Sequence, residues 1–152
     1  MKVKIKKLYE DAILPSRKSD SAAGYDLYAY CNYFEQDEPI AEIAPHETWK
    51  ISTGLAIEIP EGYFGAIFAR SGLSTKEGLR PANCVGVIDS DYRGEIIVPL
   101  HNDGVDSKYK DVMYGDRIAQ LVIMPYLPVE FEVVERLSDT ERGNGGFGST
   151  GK

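Results

Sequence analysis

The chain has 152 residues, with 43% hydrophobic and 27% charged side chains, 15 glycines and 8 prolines, which fits one turn-rich globular domain able to bury a core without disulfide staples. Its 24 acidic residues outnumber 17 basic ones for a formal charge of −7, which argues against a general nucleic-acid surface or a polybasic membrane surface and leaves room only for a local anion pocket built of concentrated arginines. No apolar run approaches the ~20 residues of a membrane-spanning helix, and the lysine-rich start leads into no apolar signal region, so a soluble, intracellular, cytoplasmic protein is expected.

Taken in chain order, short segments of period-two alternation dominate. They fall at residues 3–8, 26–30, 49–59, 63–69, 95–100, 117–124 and 129–134, and the longest places Trp49, Ile51, Thr53, Leu55, Ile57 and Ile59 on one face. Pro60-Glu61-Gly62, Asn102-Asp103-Gly104 and Tyr126-Leu127-Pro128 punctuate them. Seven or more short strands predict an all-β sandwich or barrel. One brief helix is expected, capped by Ser71 or Ser74 and ending at Gly78. Cys31 and Cys84 are expected to remain thiols, and His46 and His101, far apart and without a neighbouring cysteine pair, do not have zinc-site spacing.

Four clusters carry chemistry. Arg70-Ser71-Gly72-Leu73-Ser74 puts a guanidinium and a hydroxyl at the start of the helix, an anion-binding arrangement whose plain alternative is a capped helix with a surface arginine. The segment from Gly86 to Gly94 delivers Asp89, Asp91 and Tyr92 into a turn after an apolar strand, as a scaffold presents a general base, or else forms an ordinary polar turn. Arg117 and Gln120 lie on a strand of mixed polarity, where the alternative is a buried salt bridge of Arg117 with Asp116 or another acid. The glycine-rich tail from Arg142 to Lys152 imitates both a dinucleotide fingerprint and a P-loop, but it lacks the helix that the first requires and the Ser/Thr that must follow the lysine of the second. It remains a flexible segment able to wrap an anion with Arg142, Ser149 and Thr150 and to stack Phe147 on a planar ring.

Five segments in order, Ala23–Leu27, Arg70–Leu73, Gly86–Gly94, Gly115–Leu121 and Arg142–Gly151, resemble the five motifs of the trimeric deoxyuridine triphosphatases, or dUTPases. The resemblance implies a β jelly roll over residues 1–141 with a flexible active-site arm at 142–152, assembled as a homotrimer with shared sites, and hydrolysis of dUTP to dUMP and pyrophosphate with Mg2+. It implies Asp89 as the base that activates water, Tyr92 under the deoxyribose, and Asn83 with the backbone of residues 84–87, including Gly86 and Val87, as the reader of uracil. Arg70, Ser71, Gly72 and Gln120 would hold phosphates, Phe147 and Gly148 would close over the base, and Arg142, Ser149 and Thr150 would take the terminal phosphate. Asp26 would reach the metal through water. Ala69, where a proline is usual, Cys84 in the hairpin, and a longer acidic connection at residues 31–44, read as a loop or extra hairpin, depart from the pattern. The alternatives are a dCTP deaminase-like enzyme of the same fold, disfavoured by Asp89 with Tyr92 and the arm, and a non-catalytic regulatory jelly-roll module, which should have lost Asp89, Arg142 or Phe147.

Overall fold

The computed structural model describes residues 1–32 and 38–146. Ten strands run through it in the order β1 (Lys4–Lys7), β2 (Tyr25–Tyr28), β3 (Ala41–Ile43), β4 (Thr48–Glu58), β5 (Tyr63–Phe68), β6 (Leu79–Pro81), β7 (Val85–Ile88), β8 (Glu95–Asn102), β9 (Lys110–Val112) and β10 (Arg117–Pro125), with one helix, α1 (Ser71–Lys76), after β5. Every pairing is antiparallel. One sheet has the order β1-β4-β8-β6, a second β2-β10-β5-β7, and β3 pairs with β9. Neighbours in each sheet are distant in sequence, and this crossing-over makes the molecule an all-β jelly roll.

One hydrophobic cluster draws Leu27, Ile118 and Leu121 from the second sheet and Ile51, Ile96, Val98 and Leu100 from the first. Both sheets therefore bury their inner faces against a common core, which is why the alternation was readable. On β8 the even positions Ile96, Val98, Leu100 and Asn102 are buried. The buried Asn102 donates to the carbonyls of Ile43 and Lys108 and accepts from the Gly104 amide, so its polar head is satisfied. In β4 the alternation breaks from Thr53 to Ile57, all buried, where the register against β8 shifts. Gly54 sits there at φ +68°, and a Cβ on it would lie 2.8 Å from Ala12 and 3.0 Å from the Tyr30 ring, so only glycine serves.

Two expectations change, and a third falls partly outside the described residues. Residues 129–134 form no strand: Phe131 is 89% and Val133 97% exposed, because the segment lies against neither sheet of its own chain. Neither Ser71 nor Ser74 caps α1; the N-cap is Arg70, in extended conformation and without a side-chain cap bond, since a guanidinium offers no acceptor. Within the 31–44 connection, residues 33–37 lie outside the described residues, and β3 pairs with the distant β9 rather than forming a hairpin of its own.

Candidate active site

The register of the second sheet brings two of the four clusters together with Asp26. Gln120 on β10 is the partner of Asp26 on β2 and of Phe68 on β5, and Phe68 in turn faces Val85 on β7. Two residues past Phe68 stands Arg70. Its Nε donates to Asp26 Oδ1 at 3.0 Å, and its Nη1 donates to the carbonyl of Arg117 at 3.0 Å. Arg117 Nη1 lies 3.4 Å from Asp26 Oδ2, so both oxygens of this carboxylate, only 12% exposed, face guanidinium groups. Arg117 pairs with Asp26 and not with Asp116, whose carboxylate accepts from the Met113 amide. Two cations on one anion leave a local surplus of positive charge in an acidic protein. Ser71 and Gly72 follow at the exposed first turn of α1. Gly24 makes space for this row, since a Cβ there would come within 2.7 Å of Gln120 Oε1.

The hairpin of β6 and β7 builds a different site. Arg80 clamps its entry through a two-point ion pair with Asp103, Nε to Oδ2 at 3.0 Å and Nη2 to Oδ1 at 2.8 Å, and this hydrogen bonding holds the guanidinium above its ordinary pKa. At the turn, the Cys84 amide donates to the Pro81 carbonyl and Cys84 itself takes φ +59°, exposing its side chain. Gly86 is buried so closely that a Cβ would lie 3.2 Å from both Asn83 Nδ2 and Ile67 Cβ. Asn83, Gly86, Val87, Asp89 and Tyr92 line a cleft of about 380 Å³, with Ile97 and Pro99 of β8 on the far side and Lys50 at its edge. That volume falls in the range of small-molecule sites. Tyr92 is fixed by its hydroxyl, which donates to the Glu95 carbonyl at 3.0 Å, and by Gly94, where a Cβ would strike Tyr92 Oη at 2.4 Å. Asp89 is exposed at the lip of this cleft and also borders a broader opening lined by Glu58, Glu61, Asp91 and Arg93.

Within one chain these two sites do not meet. Gly65 pairs with Ile88 and Phe68 with Val85, so Asp89 leaves the ladder at one end and Arg70 at the other. At ~3.3 Å per residue the six-residue offset between Arg70 and the level of Asp89 corresponds to roughly 20 Å of backbone. The tail adds Arg142, exposed, with its Nε donating to the Gly145 carbonyl at 2.9 Å; Phe147, Gly148, Ser149 and Thr150 lie outside the described residues.

The dUTPase family model matches residues 10–151. A deoxyuridine 5'-triphosphate nucleotidohydrolase of Hydrogenobaculum sp. (strain Y04AAS1) is 46% identical over 151 residues, covering 99% of each chain. The chain belongs to the dUTPase family. Among solved structures, a point mutant of the dUTPase of Staphylococcus bacteriophage 80alpha with dUpNHpp superposes with a TM-score of 0.82 at 31% identity, again over 99% of each chain. A mutant dUTPase from phage phi11 of S. aureus, described for its coordination of a structural Mg(II) ion, is 28% identical with a TM-score of 0.73, over 90% of this chain and 98% of that one.

Sequence reading allowed Arg117 a salt bridge with Asp116 or another acid, and that acid is Asp26; it missed Arg80, Gly24 and Gly94, which act by bracing or by leaving space. The glycines had a readable signal in their place beside Tyr92 or Asp26. Arg80 and Asp103 had none, since 23 positions separate them and only the β6–β8 pairing joins them.

Proposed function

We propose that this protein hydrolyses dUTP to dUMP and pyrophosphate, as a homotrimer whose active sites are shared between subunits. The observation that carries the reading is the cleft in which Asp89 stands beside Tyr92 and the Asn83–Gly86 hairpin, in a chain of the dUTPase family. The hairpin amides and carbonyls near Gly86 offer a pairing edge to uracil, and the close approach of Asn83 and Ile67 leaves little room for a thymine methyl. The face of Tyr92 packs under the deoxyribose and provides no partner for a ribose 2′-hydroxyl, which rejects UTP. Asp89 takes a proton from the water that attacks the α-phosphate. Arg70, Ser71, Gly72 and Gln120 hold the phosphate chain, and donors that are already oriented do so without reorganising during the reaction. The arm then closes, with Phe147 and Gly148 over the base and Arg142, Ser149 and Thr150 on the terminal phosphate, excluding water.

The shared site is supported by the separation of Asp89 from Arg70 along β5 and β7, which no single chain closes by side-chain reach. It is supported also by residues 127–133, where Leu127, Val129, Phe131 and Val133 alternate with polar or proline positions and are all exposed. Such a segment has the pattern of a strand and pairs with none of the described strands of its own chain, while β1 presents an exposed sheet edge. A second copy of the chain supplies the missing surface.

Among the described residues no three His, Cys, Asp or Glu side chains cluster as a metal cage. The single carboxylate of Asp26 beside the phosphate arginines suits Mg2+ carried in by the triphosphate and touched through water, because this ion sheds its own waters reluctantly. When bound it would offset charge on the phosphate oxygens and the leaving pyrophosphate. No helix among the described residues is long and apolar enough to cross a membrane, which is in keeping with a cytoplasmic enzyme.

The test is to incubate the protein with Mg2+ and each of dUTP, dCTP, dTTP and UTP and to identify the products. Pyrophosphate from dUTP alone is expected. Ammonia from dCTP would move the protein to the deaminases, and equal turnover of UTP would remove the role given to Tyr92.

A further inference from the structure

Regular alternation along β10 would point Arg117 and Gln120 to opposite faces of the sheet, because they stand three positions apart. A bulge reverses this. Leu27 pairs with Ala119 but Tyr28 pairs with Arg117, so two steps on β10 oppose one on β2. Arg117 thereby joins Asp26, Tyr28 and Gln120 on one face, while Ile118 and Ala119 remain buried. The first residue of the bulged strand then makes two contacts to the same pair: its guanidinium lies 3.4 Å from Asp26 Oδ2, and its carbonyl accepts Arg70 Nη1 at 3.0 Å. Asp26 is itself pinned at the backbone, its amide donating to the Ser16 carbonyl at 2.7 Å.

We propose that Arg117 is a positioning residue of the phosphate site: it holds Asp26 and Arg70 in one preset clamp, so that Arg70 meets the triphosphate already oriented. The inference rests on the dUTP reading above. A lone Asp26–Arg70 pair would be neutral, and its carboxylate would compete with phosphate for the only guanidinium. Sharing the carboxylate between two arginines weakens that competition and keeps the site electropositive. Anchoring Arg70 at both Nε and Nη1 also removes side-chain freedom before the ligand arrives, and a contact whose ordering is already complete binds more tightly.

The experiment measures dUTP kinetics and the affinity for the non-hydrolysable dUpNHpp, with Mg2+, in Arg117→Met, Arg117→Lys, Arg70→Met and the Arg117→Met/Arg70→Met double variant; sedimentation and melting check assembly. Arg117→Met should raise KM and weaken analogue binding about tenfold with kcat within about threefold of wild type, since an aimed Arg70 contributes to ground state and transition state alike. Arg117→Lys, which keeps a cation on Asp26, should recover most of that loss. In the double variant the affinity should be within about twofold of Arg70→Met alone, because the clamp has nothing left to aim. If Arg117→Met fails to assemble, Arg117→Gln carries the same expectations. Equal losses with and without Arg70 would mean that Arg117 contacts phosphate itself, and would overturn the proposal. Unchanged KM in the assembled variant, or a lysine variant no better than methionine, would overturn it too. Wild-type protein that leaves dUTP intact would instead refute the dUTP reading.

Discussion

At the Val85 end of the β5–β7 ladder, Arg70, just past β5, enters a cluster of paired charges with Asp26 of β2 and Arg117 of β10. At the Ile88 end, Asp89 emerges exposed beside a cleft whose shape comes from the backbone at Gly86 and from the ring of Tyr92. The first end is complete in one chain, because ion pairs between neighbouring strands fix a cation's direction without help from outside. The second provides a cleft with an exposed carboxylate, and the paired arginines Arg70 and Arg117 lie at the other end of the ladder. If the two ends belong to one active site, as proposed above, assembly becomes a condition of activity, because one chain holds them at opposite ends of a ladder.

The comparison is most severely tested at Asp89. Asp89→Asn would remove the proposed base and little volume, so turnover should fall about 10²- to 10⁴-fold while analogue binding and sedimentation mass persist. A variant keeping more than half the wild-type rate would return Asp89 to a structural turn.

Next in size is the split itself. Arg70→Met and Asp89→Asn proteins, each nearly inactive, should regain activity when their subunits are exchanged, to about a quarter of wild type if chains mix at random and each site takes its base and its arginine from different subunits. Activity that stays at the level of the two separate proteins after confirmed exchange would place both residues in one chain's site.

The two glycines that leave space at either end should then give different signatures. Gly94→Ala forces the Tyr92 ring from its place and should cut the preference for dUTP over UTP about tenfold, measured as a ratio of kcat/KM values. Gly24→Ala meets the Gln120 side chain most closely at its far end, at 2.7 Å from Oε1, which can move, and less closely at its Cβ, at 3.3 Å, so it should raise KM by about threefold with that ratio unchanged. If Gly24→Ala altered the sugar preference as much as Gly94→Ala, the division between a base end and a phosphate end would fail.

Much of this architecture could be read from the amino-acid order. Period-two alternation located β4, β5, β8 and β10 because each buries one face on a common core, and Asp89 with Tyr92 stood out as polar residues delivered by an apolar strand into a turn. The three-residue strands β3, β6 and β9 were not legible: no alternation can be established in so short a run, and their pairing is with segments far away in the chain. Residues 129–134 show the opposite failure. Their pattern is that of a strand, yet a strand exists only when another backbone accepts its hydrogen bonds, and among the described residues of its own chain none pairs with it.

What the sequence by itself determined was local: which residues face a core, where turns interrupt the strands, and which side-chain chemistries are present. Tertiary structure alone decided the partnerships, because Asp26, Arg70 and Arg117 are joined by strand order and by a one-residue bulge that reverses the face Arg117 presents. It also decided that Arg70 and Asp89, each on a readable motif, emerge from opposite ends of one ladder. Register is a relation between strands, and a shift of one residue turns every following side chain to the other face, so a reading made along one strand at a time cannot contain it.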